Sequence, residues 1–168
     1  MPASHSTSEC RYTSDGTTFC IRSNRPPPNR HESIIGLDEI GLHGAGSDLL
    51  LVTFGNGVHL SRRAAAILAG HGIDVTVLDL RWLAPLPVDA LNEVARLFDS
   101  VLVVDETRRS GGVSEGVVTA LVDGGHRGRI ARVTSADSFI PLGPAADEVL
   151  LSEDDIVAAA ADLHAGGI

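Results

Sequence analysis

Along this chain the apolar residues come in short dense runs, each followed by a stretch in which they recur every three or four positions. The runs are Leu49 to Phe54 (LLLVTF), Ile73 to Leu78 (IDVTVL), Ser100 to Val104 (SVLVV) and Ile130 to Val133 (IARV). Runs this short and this poor in polar residues predict strands buried on both faces. Between them, Leu60, Ala64, Ile67 and Leu68 fall on one side of a helix, with Arg62 and Arg63 on the other. Val88, Leu91, Ala95 and Phe98 repeat the pattern, as do Val113, Val117 and Leu121, and finally Ile156, Ala159, Ala160 and Leu163. Ser152 stands where the last helix should be capped, and Glu153, Asp154 and Asp155 follow it, where acids favour the positive end of the helix dipole. Ahead of the first run, Ile34 to Gly44 (IIGLDEIGLHG) roughly alternates, which predicts a short edge strand over 34–42, with a turn at Gly44-Ala45-Gly46-Ser47.

Apolar strands alternating with amphipathic helices predict an α/β fold of three layers, with a largely parallel sheet covered on both faces. In such sheets the functional surface lies at the carboxyl ends of the strands. Three loops qualify: Gly55 to His59 (GNGVH), Asp79 to Pro87 (DLRWLAPLP) and Glu106 to Gly112 (ETRRSGG). Residues 1–33 have a different character, rich in Ser, Thr and Asn with Pro26-Pro27-Pro28, and are expected to form a disordered or loosely packed leader to a domain over 34–168.

Composition narrows the chemistry. The 168 residues, 43% hydrophobic, suit one ordinary domain. The net charge is −9 and the 13 basic residues are all arginine, which leaves no basic footprint for nucleic acid. No run approaches the roughly 18 apolar residues of a membrane span, and the first residues lack the pattern of a signal peptide, so a cytoplasmic chain is expected. Cys10 and Cys20 are too few for a disulfide framework or a four-thiolate zinc site. The histidines at 5, 31, 43, 59, 71, 126 and 164 are not in metal-ligand spacing.

Two local motifs invite chemistry. Gly112-Val-Ser114-Glu-Gly116 reads as G-x-S-x-G, the hydrolase elbow, but an elbow serine sits directly between strand and helix, and Ser114 comes well after the strand ends. Gly55-Asn-Gly57-Val-His-Leu60 follows a strand and opens a helix, with Asp79 at the end of the next strand, in partial agreement with a dinucleotide fingerprint. The third glycine of that fingerprint is replaced by Leu60. A stand-alone nucleotide-binding domain is therefore the alternative expectation.

Taken together, the three loops point elsewhere. Thr53-Phe54-Gly55 with Val58, then Asp79-Leu80-Arg81 with Leu83, Pro85 and Leu86, then Glu106 with Gly111-Gly112 and Glu115, form one combination. Arg132-Val133-Thr134 with Asp137 and Pro141, and Asp154-Asp155-Ile156, continue it. The combination resembles the carboxy-terminal domain shared by transketolase-like enzymes. It looks most like the beta subunit, or fused beta region, of the thiamine-diphosphate-dependent decarboxylating component of 2-oxo acid dehydrogenases. The resemblance covers about residues 34–165. It implies a five-stranded sheet whose first, edge strand is antiparallel, and thiamine diphosphate with magnesium held by other domains of the assembled enzyme. The chain contains neither G-D-G nor Asn-Asn, the resemblance's diphosphate motifs. Decarboxylating a 2-oxo acid needs an electron sink that side chains do not supply. The chain alone is thus expected to bind no cofactor or metal and to be inactive.

What the resemblance implies is an assembly role. Expected partners are the other domains or subunits of the decarboxylating component, with the dihydrolipoyl acyltransferase core and a second copy of the chain as further candidates. Asp79, Arg81, Trp82, Glu106, Arg108, Arg109, Gly111, Gly112 and Glu115 are the expected interface residues. The two glycines allow close backbone approach, and tryptophan and arginine are enriched at interface hot spots. Asp79 and Arg81 also suit a local ion pair, and Trp82 suits either an exposed anchor or a buried pin. The acids Asp147, Glu148, Glu153, Asp154 and Asp155 suit a solvated face or a dock for a basic segment.

Overall fold

A computed structural model describes residues 35–167 and, ahead of them, two short strands. Strand β1 (Glu9–Tyr12) pairs antiparallel with β2 (Thr18–Ile21), with Cys10 opposite Cys20. The chain divides into two compact units, 1–34 and 35–168. The expectation for the leader falls, apart from these two strands, outside the described residues.

The second unit holds β3 (Gly41–His43), β4 (Leu49–Thr53), α1 (Gly57–Gly70), β5 (Val75–Asp79), α2 (Val88–Ala95), β6 (Ser100–Arg108), α3 (Val113–Asp123), β7 (Arg129–Ser135), a 3-10 turn (Gly143–Glu148) and α4 (Glu153–His164). Its five strands lie in the order β3-β5-β4-β6-β7. β3 runs antiparallel to β5, and every other pair is parallel. This is the three-layer α/β fold with an antiparallel edge strand.

The apolar runs explain the layers. Side chains alternate across a strand, so Leu49 and Leu51 of β4 enter a core built with α1 and α4, whereas Leu50 and Val52 enter a second core built with α2 and α3. Leu102 and Val104 join the first, and Val101 and Val103 join the second. A strand with both faces covered is mostly apolar, and its buried polar residues, Thr53, Thr76, Ser100 and Asp105, are few. Each leucine fully buried in this way contributes about 1.5–3 kcal/mol.

Three expectations are corrected. The edge strand predicted over 34–42 is only Gly41–His43, because the alternating residues before it pair with nothing in the sheet among the described residues. β6 runs four residues past the apolar stretch, to Arg108, with a pairing irregularity between Asp105 and Arg108. Ile67 is exposed, since the buried stripe of α1 is Val58, Ser61, Ala64 and Leu68, and Ile67 lies about 100° around the helix from Leu68. α4 begins as the sequence predicts: the Ser152 hydroxyl accepts from the Asp155 N–H while the Asp155 carboxylate accepts from the Ser152 N–H.

Candidate functional site

β4, β5, β6 and β7 all end on one side of the sheet, and antiparallel β3 begins there, so the three loops share that end. β5 lies to one side of β4 and β6 to the other, which places the topological switch between β4 and β6. Glu106 stands at this point. Its Oε1 accepts from the Asn56 N–H at 3.3 Å, where β4 turns into α1. Gly55 has φ +56°, and a Cβ there would lie 2.8 Å from the same oxygen. The positive end of α1 is therefore already met by a carboxylate of the chain itself. A pyrophosphate at this turn would face Glu106, so the dinucleotide expectation from Gly55, Gly57 and Asp79 fails here.

Asp79 and Arg81 do not form the ion pair the sequence allowed. The Asp79 carboxylate accepts from the backbone N–H of Arg81 at 3.0 Å, in a tight turn where Arg81 takes φ +56°. The Arg81 guanidinium instead reaches Glu39, 2.6 Å away, and lies across Gly41, where a Cβ would come within 3.1 Å of it. Glu39 escaped the sequence reading because it lies 42 residues from its partner. Trp82 is half-buried, with its Nε1 shut off from water and without a hydrogen-bond partner among the described residues. Leu83 beside it is exposed.

The β6–α3 loop is organised by Asp105, a fully buried residue that the sequence reading passed over. Its Oδ1 accepts from the Thr107 N–H at 2.8 Å and the Thr107 hydroxyl at 2.7 Å, and its Oδ2 accepts from the Ser114 N–H at 2.7 Å. It thus caps α3 from across the loop, satisfying a donor that the N-cap residue Gly112 does not reach. An acid closing an apolar strand just before a glycine-rich turn was the available signal. Ser114 is wholly buried and its hydroxyl has no partner among the described residues, so it is no exposed elbow nucleophile. Gly112 is needed within the chain: a Cβ would lie 2.4 Å from the Arg108 carbonyl oxygen and 2.9 Å from Asp105 Oδ2. Gly111 takes φ +69° with open space around it.

Beyond the loop, Ser110 donates its N–H to Asp137 Oδ1 at 2.8 Å and its hydroxyl to Asp137 Oδ2 at 2.6 Å. These bonds, the hydroxyl's first, hold the exposed Asp137 carboxyl below the usual carboxylate range. Arg132 donates to the Arg109 carbonyl at 3.1 Å and lies 3.8 Å from Glu115. The Ser135 hydroxyl donates to the Glu106 carbonyl and accepts from the Leu151 N–H. Next to these bonds is a cavity of about 320 Å³ lined by Glu106, Arg108, Ser138, Ile140 and Val149 among others. Among the acids further on, Glu153 pairs with Arg63 and Asp155 caps α4, while Asp147 and Glu148 are exposed.

The structure therefore brings Glu106, Arg108, Arg109, Gly111, Gly112 and Glu115 into one neighbourhood and sets Asp79, Arg81 and Trp82 toward the β3 side of the same end. The donor set does not suit a diphosphate with magnesium. Asp79, Asp105 and Asp137 spend their carboxylates on the chain's own donors, and Glu106 fills the start of α1. No three His, Cys, Asp or Glu among the described residues are arranged to hold a metal.

Comparison with known proteins gives a consistent answer. The family model described as the carboxy-terminal domain of transketolase matches residues 39–156. A 1-deoxy-D-xylulose-5-phosphate synthase of Gloeobacter violaceus is 42% identical over 96 residues, 57% of this chain and 15% of its own. A pyruvate dehydrogenase E1 component beta subunit of Staphylococcus aureus is 30% identical over 139 residues, 81% of this chain and 43% of its own. The solved structure of a split-gene transketolase, an inactive β4 tetramer, superposes with a TM-score of 0.71 at 24% identity, over 87% of this chain and 48% of that one. The chain spans less than half the length of each of these relatives. Among the described residues no helix is long and apolar enough to cross a membrane.

Proposed function

The chain belongs to the family of the transketolase carboxy-terminal domain, and from that premise we propose that it is the assembly domain of a thiamine-diphosphate-dependent 2-oxo acid dehydrogenase, of the pyruvate or branched-chain type. The observation that carries this reading is the likeness to the beta subunit of pyruvate dehydrogenase over 81% of the chain, joined to a carboxyl end whose polar groups bind one another. Thiamine diphosphate and magnesium belong, on this reading, to other domains, which supply the electron sink for decarboxylation. The residues here shape and stiffen a surface: Asp105 and Asp137 fix the β6–α3 loop, and Arg108, Arg109, Glu115, Arg81 and Trp82 face the partner from it. Partners are the other domains or subunits of the decarboxylating component, the dihydrolipoyl acyltransferase core, and further copies of the chain, all in the cytoplasm.

The test is a calorimetric titration of the purified chain with thiamine diphosphate and magnesium, and separately with NAD, followed by a decarboxylation assay on pyruvate and branched-chain 2-oxo acids. The expected result is no tight binding and no turnover until a polypeptide carrying the cofactor domains is added. Unaided turnover, or tight NAD binding, overturns the reading.

A further inference from the structure

The chain has two cysteines among its 168 residues, and both lie in the two short strands that precede the second unit. The antiparallel register sets Glu9 against Ile21, Cys10 against Cys20, Arg11 against Phe19 and Tyr12 against Thr18. The two cysteines therefore occupy directly opposed positions. Opposed residues of an antiparallel pair have Cα atoms about 4.5 or 5.5 Å apart, according to their place in the ladder, and a disulfide spans Cα separations of about 4.4–6.8 Å. Either kind of opposed pair falls in that range.

The strands that carry them also stand to gain from a bond. Each is four residues long, and among the described residues β1 and β2 form a sheet of their own with no third strand. A lone two-stranded hairpin is marginal in water. A covalent bond across it removes open states that compete with pairing, and pairing in turn holds the two thiols at high effective concentration. We propose that Cys10 and Cys20 form a reversible disulfide that clasps the β1–β2 hairpin, which makes this unit responsive to thiol redox poise. The oxidant is a small-molecule disulfide. The thiolate of one cysteine attacks it and forms a mixed disulfide, releasing one small thiol; the other cysteine then attacks the protein sulfur of that intermediate and releases the second. One S–S bond breaks and one forms, two electrons pass from the cysteines to the oxidant, and the two cysteine protons end on the released thiols. Where thiols are kept reduced the clasp stays open, and it closes as the poise turns oxidising. The clasp goes beyond the assembly role and does not depend on it.

A glutathione redox titration of the full chain, read by intact mass after acid quench and alkylation, tests it. The wild type should lose two hydrogens, without cross-linking to a second chain, when oxidised glutathione predominates, and should regain them in excess reduced glutathione. Amide exchange over residues 9–12 and 18–21 should slow at least about tenfold in the oxidised form. Cys10→Ser should show no slowing under the same conditions. A register variant separates a clasp built by strand pairing from chance closure of a loose segment: Phe19→Cys with Cys20→Ser moves the second thiol one place along β2, to the position opposite Arg11, while the loop to be closed hardly changes in length. Its equilibrium constant for bridging against glutathione should be at least about tenfold below that of the wild type. A wild type that gives only mixed disulfides or cross-linked dimers overturns the proposal. So does a register variant that bridges as readily as the wild type, or amides that exchange as fast with the bridge closed as with it open.

Discussion

Ser114 carries a hydroxyl that its surroundings leave without a partner, while its backbone N–H is tied to Asp105. Ser114→Ala should therefore change unfolding stability by no more than about 0.5 kcal/mol and should remove no hydrolytic activity. Asp105→Ala leaves the Thr107 and Ser114 donors without their acceptor in a buried site, and should cost about 3 kcal/mol in a urea titration. An equal effect of the two substitutions would show that the hub is not Asp105. Gly112→Ala should also destabilise, by about 2 kcal/mol, because the added Cβ meets the Arg108 carbonyl oxygen and the hydrogen-bonded oxygens of Thr107 and Asp105. His126 is a different case. Burial lowers its pKa, with Asp99 opposing, and its Nε2 has no partner among the described residues. A folded-state pKa below the ordinary value of 6.5 means that the unfolded chain takes up the proton first, so stability is present above 6.5 and is lost as the pH falls through the folded value. The denaturation midpoint of the wild type should drop more between pH 7.5 and 5.5 than that of His126→Gln.

The β6–α3 loop and the segment after β7 are separate in sequence, yet Asp137 joins them across 27 residues. Because the Asp137 pKa is lowered in the folded chain, this clasp is intact above the ordinary aspartate range near 4 and opens only as the pH falls below it. Asp137→Asn, which gives up the charge but keeps the shape, should speed amide exchange in both segments at neutral pH, and the wild type should show the same speeding only in acid. Unchanged exchange in the variant would mean that Ala136 to Val149 alone holds the segment. Elements of this chain were legible to different depths for physical reasons. The strands of the parallel sheet and the four helices follow from apolar period, since both cores are filled by residues a fixed step apart. The boundary of α4 follows from its capping residues. The reach of β6 past Val104 does not, because its last residues, Asp105 to Arg108, are polar and belong to the strand through pairing with β7, not through burial pattern. The clasp, the Arg81 to Glu39 pair and the Glu106 contact with α1 are likewise products of topology, which brings together side chains 27 to 50 residues apart.

At the scale of the whole molecule, the two cores close using residues from Ile40 to Leu163 among those described, with α1 and α4 on one face of the sheet and α2 and α3 on the other. The apolar residues of the strands are consumed by these two layers, so the second unit carries its own core. Residues 1–33 are rich in Ser, Thr and Asn and carry three consecutive prolines, a composition expected to add little to such a core. Deleting residues 1–30 should thus leave the melting temperature of the chain nearly unchanged. A fall of more than about 4 °C, which corresponds to roughly 1 kcal/mol in a domain of this size, would show that the leader packs on the domain and stabilises it.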